Sequence, residues 1–84
     1  MKEKYRSKYG QWMEDFLKDQ YSKRYKQMKK DGELIEFCQM RENRTIRLVD
    51  YLMDQGANSS EAEETALSQM FEMTPEEGEE EFYT

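Results

Sequence analysis

Apolar residues recur at steps of three and four along two stretches of the chain, which is the period of a helix face and not of a strand. In the first stretch the apolar positions are Tyr9, Trp12, Met13, Phe16, Leu17, Tyr21, Tyr25 and Met28. In the second they are Leu34, Ile35, Cys38, Ile46, Val49, Leu52 and Met53, with a polar gap across residues 41–44. The pattern predicts one long helix over residues 10–30 and another over residues 33–55.

A short link at Asp31 and Gly32 joins the two predicted helices. Gly adopts the left-handed conformation that ends a helix without the steric cost of a Cβ atom. Helices joined by so short a link become antiparallel neighbours, so their apolar faces meet. The sequence therefore predicts an all-α fold built on an antiparallel helical hairpin, with Trp12 and Phe16 anchoring the core.

A third, shorter helix is predicted over residues 60–72. Its start, Ser60-Glu61-Ala62-Glu63, matches a capping box, in which a serine hydroxyl and a glutamate carboxylate each satisfy a free backbone N–H. We expect residues 1–74 to form a single helical domain with a frayed start at residues 1–7. Residues 75–84 are expected to form an acidic tail or a short terminal helix.

Charge is distributed unevenly along the 84 residues, whose net charge is −6. Residues 1–30 carry ten Lys or Arg and four Asp or Glu, whereas residues 57–84 carry nine Glu and no basic residue. Either the two ends neutralise each other, or one end faces a charged partner.

The sequence lacks the residues on which most enzyme chemistry depends. It contains no His, the commonest general base and metal ligand, and no Gly-rich phosphate loop. The only cysteine, Cys38, has no activating partner and is interpreted as a core residue, with an intermolecular disulfide as the alternative. We expect no enzymatic activity, no catalytic residues, no cofactor and no metal site.

The chain also has no apolar run near the ~20 residues that span a membrane. Its start lacks the apolar segment of a signal peptide. A soluble cytoplasmic protein without membrane contact is expected.

Part of the predicted hairpin resembles a known family. The residues that carry the resemblance are Lys8-Tyr9-Gly10, Phe16-Leu17-Lys18-Asp19, Tyr25, Met28, Gly32 and Leu34. This series, within roughly residues 8–53, is similar to the middle of the TnpV family of small transposon-encoded proteins from Gram-positive gut bacteria. The resemblance implies an origin in a mobile element. It implies no catalytic residues, because that family has none established.

An acidic face is the first candidate for binding a partner. Its residues are Glu61, Glu64, Glu72, Glu76, Glu77, Glu79, Glu80 and Glu81. A row of carboxylates can imitate nucleic-acid phosphates and is attracted to a positive groove. We expect a small protein-binding module from a mobile element or phage that inhibits a nucleic-acid-binding enzyme, and by analogy CRISPR effector nucleases are the first targets to test. The alternative is that the glutamates solubilise the chain or neutralise the lysines of the first helix.

A basic series on the first predicted helix is the second candidate. It comprises Lys23, Arg24, Lys26, Lys29 and Lys30, interleaved with Tyr21 and Tyr25. Positive charge and aromatic rings together are typical of nucleic-acid contact, which favours an accessory DNA-binding protein of a transposon. The other interpretation places the tyrosines in the core and the lysines in solvent. A third hypothesis, a structural bundle that associates as a homodimer, follows from the breadth of the apolar stripe.

Overall fold

The computed structural model describes residues 4–73, which form four α-helices and no strand. The helices are Lys8–Gln20 (α1), Ser22–Asp31 (α2), Leu34–Asp54 (α3) and Ser59–Met70 (α4). The predicted all-α class is confirmed. The longest helix, α3, lies at the centre of the packing: α4 contacts it most extensively, and α1 and α2 both pack against it.

The single helix predicted over residues 10–30 is wrong, because Tyr21 interrupts it. The Tyr21 backbone has φ −137° and ψ 58°, outside the helical region, so α2 turns away from the axis of α1. The Tyr21 N–H still donates to the Leu17 carbonyl at 2.8 Å, and the Tyr21 carbonyl accepts from the Tyr25 N–H at 2.8 Å. The break therefore costs few backbone hydrogen bonds. The sequence gives no signal for it, because the apolar period continues through Tyr21 and no Pro or Gly stands there.

The turn predicted at Asp31 and Gly32 is present. Gly32 has φ 78°, in the left-handed region, and ends α2. The Glu33 N–H donates to the Met28 carbonyl at 2.8 Å, which satisfies one of the carbonyls that the end of a helix leaves free. From this turn α3 runs over nearly the predicted residues.

The start of α4 uses a different cap from the predicted one. Asn58, and not Ser60, is the N-cap: its side chain accepts the Glu61 N–H at 2.8 Å, and the Glu61 carboxylate accepts the Asn58 N–H at 3.3 Å. Asn caps a helix as well as Ser does, so the sequence offers two starts of similar strength two residues apart. The predicted tail at residues 75–84 lies outside the described residues.

The core is formed by residues from the start of the chain as well as from the helices. Its buried members are Tyr5, Tyr9, Met13, Leu17, Met28, Leu34, Cys38 and Met70. On α1 the fully buried positions are Met13 and Leu17, one turn apart, whereas Trp12 is 38% exposed at the edge of that stripe. The prediction that Trp12 anchors the core is therefore wrong. Phe16 is half-buried and packs on Phe71, with ring centroids 4.8 Å apart.

Residues 4–7 are ordered against the core, which corrects the expectation of a frayed start for this segment. Tyr5 is only 7% exposed, and its hydroxyl donates to the Glu14 carboxylate at 2.6 Å. The Tyr5 ring lies directly over Gly10, where a Cβ atom would fall closer to the ring than real contacts allow. Gly10, unfavourable for a helix by ~1 kcal/mol, is thus explained by the ring that covers it.

The polar gap of α3 is buried rather than exposed. Glu42 has no accessible surface, and its carboxylate accepts hydrogen bonds from the Arg6 N–H at 3.2 Å and the Ser7 N–H at 2.7 Å. The Ser7 hydroxyl also donates to it at 2.7 Å. Since Ser7 caps α1, the carboxylate lies at the positive end of that helix dipole, where negative charge is stabilising.

Arg41, the residue before Glu42, contacts the C-terminal end of α4. Arg41 is 5% exposed, and its Nη1 donates to the carbonyls of Met70 at 2.8 Å and Glu72 at 2.7 Å. These carbonyls follow the last turn of α4, where the dipole is negative. The guanidinium also lies 5.0 Å from the centre of the Phe37 ring. Two adjacent charged residues therefore fasten both α1 and α4 to α3.

Candidate binding surfaces

The predicted basic series lies on one short helix, α2, which we call the cationic helix. Five of its ten residues, Lys23, Arg24, Lys26, Lys29 and Lys30, are basic, and Asp31 is its only acid. All five side chains are exposed except that of Arg24, which is half-buried. Arg24, Lys26, Lys29 and Lys30 form no ion pair with another residue among 4–73. No ion pair within the described residues therefore neutralises these four side chains.

The tyrosines of the basic series belong partly to the core. Tyr21 and Tyr25 are half-buried and pack against the buried cluster, and the Tyr21 ring lies 5.8 Å from that of Phe16. Neither ring is fully available for stacking on a base. Lys29 lies over the remaining face of Tyr25, with its Nζ 5.8 Å from the ring centre.

A pocket of about 180 Å³, which we call the cationic pocket, opens beside α2. Lys4, Glu14, Tyr25, Lys29, Gly32, Leu34 and Ile35 line it. The pocket brings Lys29 of the cationic helix together with Lys4, whose Nζ lies 3.0 Å from the Glu14 carboxylate. Sequence analysis missed Lys4 because its segment was expected to fray. The signal that could have found it is Gly10, which leaves room for Tyr5 and so fixes the segment.

Glu14 keeps its charge at the wall of this pocket. Burial alone raises the pKa of its carboxyl group, but hydrogen bonds from the Tyr5 hydroxyl and the Lys4 ammonium outweigh burial, so the pKa lies below its usual value. Burial and the bond to Glu14 together raise the pKa of Tyr5. An ionised Glu14 thus holds Lys4 at the rim of the pocket.

The predicted acidic face lies mostly outside the described residues. Of its members, Glu76, Glu77, Glu79, Glu80 and Glu81 fall beyond residue 73. The other three, Glu61, Glu64 and Glu72, are exposed, but the Glu61 carboxylate is already engaged in the cap of α4.

Glu63, which was not assigned to the acidic face, makes the contact between α4 and the basic start of α1. Its carboxylate accepts the Tyr9 hydroxyl at 2.7 Å and lies 3.0 Å from the Lys8 ammonium. These two hydrogen bonds lower the pKa of Glu63, while burial and the bond to Glu63 raise the pKa of Tyr9 to about 12. Among the described glutamates of residues 57–73, Glu63 is thus neutralised by a lysine of the first helix.

Charge on the described residues is nearly balanced. Residues 4–73 carry twelve Lys or Arg and thirteen Asp or Glu, and five of the remaining glutamates lie in residues 74–84. Residues 4–73 are therefore not acidic as a whole. Their positive charge is concentrated on α2, and their negative charge is spread over the other helices.

Neither a metal site nor a membrane-spanning helix is found among residues 4–73. No three His, Cys, Asp or Glu side chains of this part are placed to hold a metal ion, and none of its helices is long and apolar enough to span a membrane. Cys38 is fully buried, and burial raises the pKa of its thiol to about 11, so the thiol is a core group.

Comparison with known proteins gives no match: no family model, no curated protein and no solved structure is significantly similar to this chain. The TnpV resemblance therefore stays a prediction.

Proposed function

We propose that the protein is a small nucleic-acid-binding module without catalytic activity, an accessory protein of a mobile element that contacts DNA through α2. The observation that carries the proposal is the concentration of five basic side chains on ten residues. This favours the basic series, because all five of its residues lie on a single helix of the described part of the chain.

The dimensions of α2 suit a nucleic-acid backbone. A ten-residue helix is ~15 Å long, and the phosphates of one strand rise by ~3.4 Å each along the axis of the duplex. The helix can therefore follow three or four successive phosphates, with Lys4 in the cationic pocket extending the contact. The half-buried tyrosines supply little base stacking, so we expect binding that depends on charge and not on sequence.

The negative net charge of the chain does not oppose this contact at ordinary salt. The Debye length is ~8 Å at physiological ionic strength, so charges on distant parts of the chain are screened from α2. The ion pair that joins α4 to α1 uses Lys8 and not a lysine of α2.

Binding of fluorescent duplex and single-stranded DNA at ~50 mM salt tests the proposal. The matched variants are Lys26→Gln/Lys30→Gln on α2 and Arg44→Gln/Arg47→Gln on α3, since each removes two exposed positive charges. We expect the α2 variant to lose binding and the α3 variant to keep it. Equal loss in both would show that only the net charge matters.

A second candidate is an inhibitor that occupies the positive groove of a nucleic-acid-binding enzyme. It is favoured by Glu64 and Glu72, both exposed, which lead into the glutamates of residues 76–81 without any basic residue between 57 and 84. In this case DNA binding is absent, and the protein slows DNA cleavage by its target. CRISPR effector nucleases are the targets to assay first, and charge reversal by Glu64→Lys/Glu72→Lys should restore part of the cleavage.

A further inference from the structure

A groove between α3 and α4, which we call the arginine groove, has a volume of about 240 Å³. Arg41, Arg44, Thr45, Arg47, Leu48, Ala66, Gln69 and Met70 line it. The three arginines follow one another at steps of three, which places them on the same side of α3. We propose that the arginine groove binds a phosphate monoester, the dianionic group carried by a mononucleotide or a sugar phosphate.

The buried members of the groove form its wall rather than its ligand donors. Arg41 uses its Nη1 to bind the carbonyls of Met70 and Glu72 at the end of α4. The Thr45 hydroxyl donates to the Arg41 carbonyl at 2.9 Å. The Arg41 bonds fix the end of α4 against α3, whereas the Thr45 bond lies within α3 and leaves its hydroxyl engaged in the groove wall. Arg41 adds positive charge to the wall.

The ligand donors are the exposed side chains of Arg44, Arg47 and Gln69. Neither Arg44 nor Arg47 forms an ion pair or a hydrogen bond with another residue among 4–73. The positions four residues away from each arginine hold no acid: they are Met40, Asn43, Leu48 and Tyr51. Asp50 lies three residues after Arg47 but forms no ion pair with it. Two guanidinium groups one turn apart therefore line the groove without a counter-ion among residues 4–73.

The number and geometry of the two exposed arginines, Arg44 and Arg47, favour a phosphate ligand over a carboxylate. One guanidinium binds a carboxylate through two parallel hydrogen bonds and leaves it no further charge, whereas a phosphate monoester carries nearly two charges on three oxygens. Two arginines match that charge, and their planar forks can share the three oxygens. The apolar side chains of Leu48, Ala66 and Met70 line the rest of the groove and suit the organic part of the ester.

The arginine groove lies on α3 and α4, and none of its lining residues belongs to α2. The inference therefore does not rest on DNA binding by the cationic helix, and either can fail alone. Because the groove is too small for a duplex, we expect it to take a small phosphate ester.

The test is a ¹H–¹⁵N NMR titration of the full chain with inorganic phosphate and with adenosine monophosphate, at constant ionic strength maintained with sodium chloride. We expect saturable shifts at α3 and α4 with a Kd of about 1 mM or tighter for at least one of the two probes. Arg44→Gln/Arg47→Gln should weaken binding at least ~10-fold, whereas the matched control Lys26→Gln/Lys30→Gln should keep the native affinity. Tighter binding of adenosine monophosphate than of phosphate would show that the groove also contacts the organic part of the ester. Equal binding would show that it contacts the phosphate group alone.

A second variant separates ligand binding from folding. Arg44→Lys/Arg47→Lys keeps both charges and the helix, but loses the two forks, so we expect weaker phosphate binding with unchanged circular dichroism. Absence of saturable shifts with both probes would overturn the inference. So would equal loss of affinity in the α2 control, or a groove that binds a glutamate-rich peptide and not phosphate.

Discussion

The fully buried carboxylate of Glu42 accepts both the backbone N–H and the hydroxyl of Ser7, each at 2.7 Å. Ser7 in turn uses its hydroxyl oxygen to accept the Tyr9 N–H at 3.2 Å and so caps α1. A residue in the middle of α3 thereby fixes where α1 begins, 35 residues away in sequence. With Glu42 holding the start of α1, Tyr9 and Lys8 are placed to meet Glu63 of α4.

Substitution Glu42→Ala should destabilise the protein by at least ~3 kcal/mol. The substitution leaves the partly buried N–H groups of Arg6 and Ser7 without the carboxylate that accepts them, and each such hydrogen bond contributes ~1.5–3 kcal/mol. Urea unfolding followed by circular dichroism measures the loss. The control is Asp50→Ala, an exposed acid of the same helix, for which we expect a change within ~0.5 kcal/mol. Equal effects of the two substitutions would show that Glu42 is not a structural anchor.

Substitution Gly10→Ala should destabilise the protein, although Ala normally favours a helix over Gly by ~1 kcal/mol. The added Cβ meets the Tyr5 ring, so we expect a net loss of ~1–3 kcal/mol. In the double variant Tyr5→Ala/Gly10→Ala the clash is absent, and the two losses should not add. A more stable Gly10→Ala protein would mean that Tyr5 does not lie over this glycine.

Trp12 and Met13 give a direct test of which face of α1 is buried. Met13 has no accessible surface, and Met13→Ala should cost ~2–5 kcal/mol. Trp12 is 38% exposed, so Trp12→Ala should cost less than that in spite of the larger side chain removed. Urea unfolding of both variants under the same conditions gives the two losses in free energy, and the larger loss identifies the buried face of α1. A larger loss at Trp12 would restore the hairpin core that the apolar pattern alone predicts.

Stability should fall on both sides of neutral pH for different reasons. Hydrogen bonds hold the pKa of Glu14 below its unfolded value, so its contribution is present above that value and is lost as the pH falls through the folded pKa. Tyr9 has its pKa raised from 10.0 to about 12, so its contribution is full below pH 10.0 and is lost as the pH rises through 12.

Measuring the free energy of unfolding as a function of pH checks both effects, the loss of stability at acid pH (the acid limb) and the loss at alkaline pH (the alkaline limb). Glu14→Gln should flatten the acid limb below about pH 4.5, and the exposed neighbour control Asp15→Asn should not. Tyr9→Phe should flatten the alkaline limb between pH 10 and 12. An acid limb unchanged in Glu14→Gln would mean that other carboxyl groups carry the acid dependence.

The parts of the fold that depend on local signals could be predicted from the sequence. The turn at Gly32 and the extent of α3 follow from one glycine and one apolar period. The break at Tyr21 could not be predicted, because its φ and ψ are set by packing and no Pro or Gly precedes it. The burial of Arg41 and Glu42 also could not, because charged residues are buried only when partners from distant segments satisfy them.

The candidate binding surfaces divide in the same way: features that are local in sequence could be predicted, and features that depend on contacts between distant segments could not. The five basic residues of α2 were identified together because they are adjacent in sequence, and the structure keeps them on one helix. Lys4 was missed because Tyr5 orders its segment through a contact with Gly10. The arginine groove needs α4 to close it, so the steps of three between Arg41, Arg44 and Arg47 indicated a shared face but no cavity.

The salt dependence of DNA binding tests the central claim, that α2 contacts the phosphate backbone. Fluorescence anisotropy with a generic duplex, at a series of sodium chloride concentrations, gives the slope of log K against log salt. The account predicts a negative slope for the native chain that becomes shallower by roughly 2 in Lys26→Gln/Lys30→Gln, because each phosphate contact contributes ~0.9. Arg44→Gln/Arg47→Gln should keep the native slope. No binding by the native chain at ~50 mM salt, or the same slope in both double variants, would contradict it.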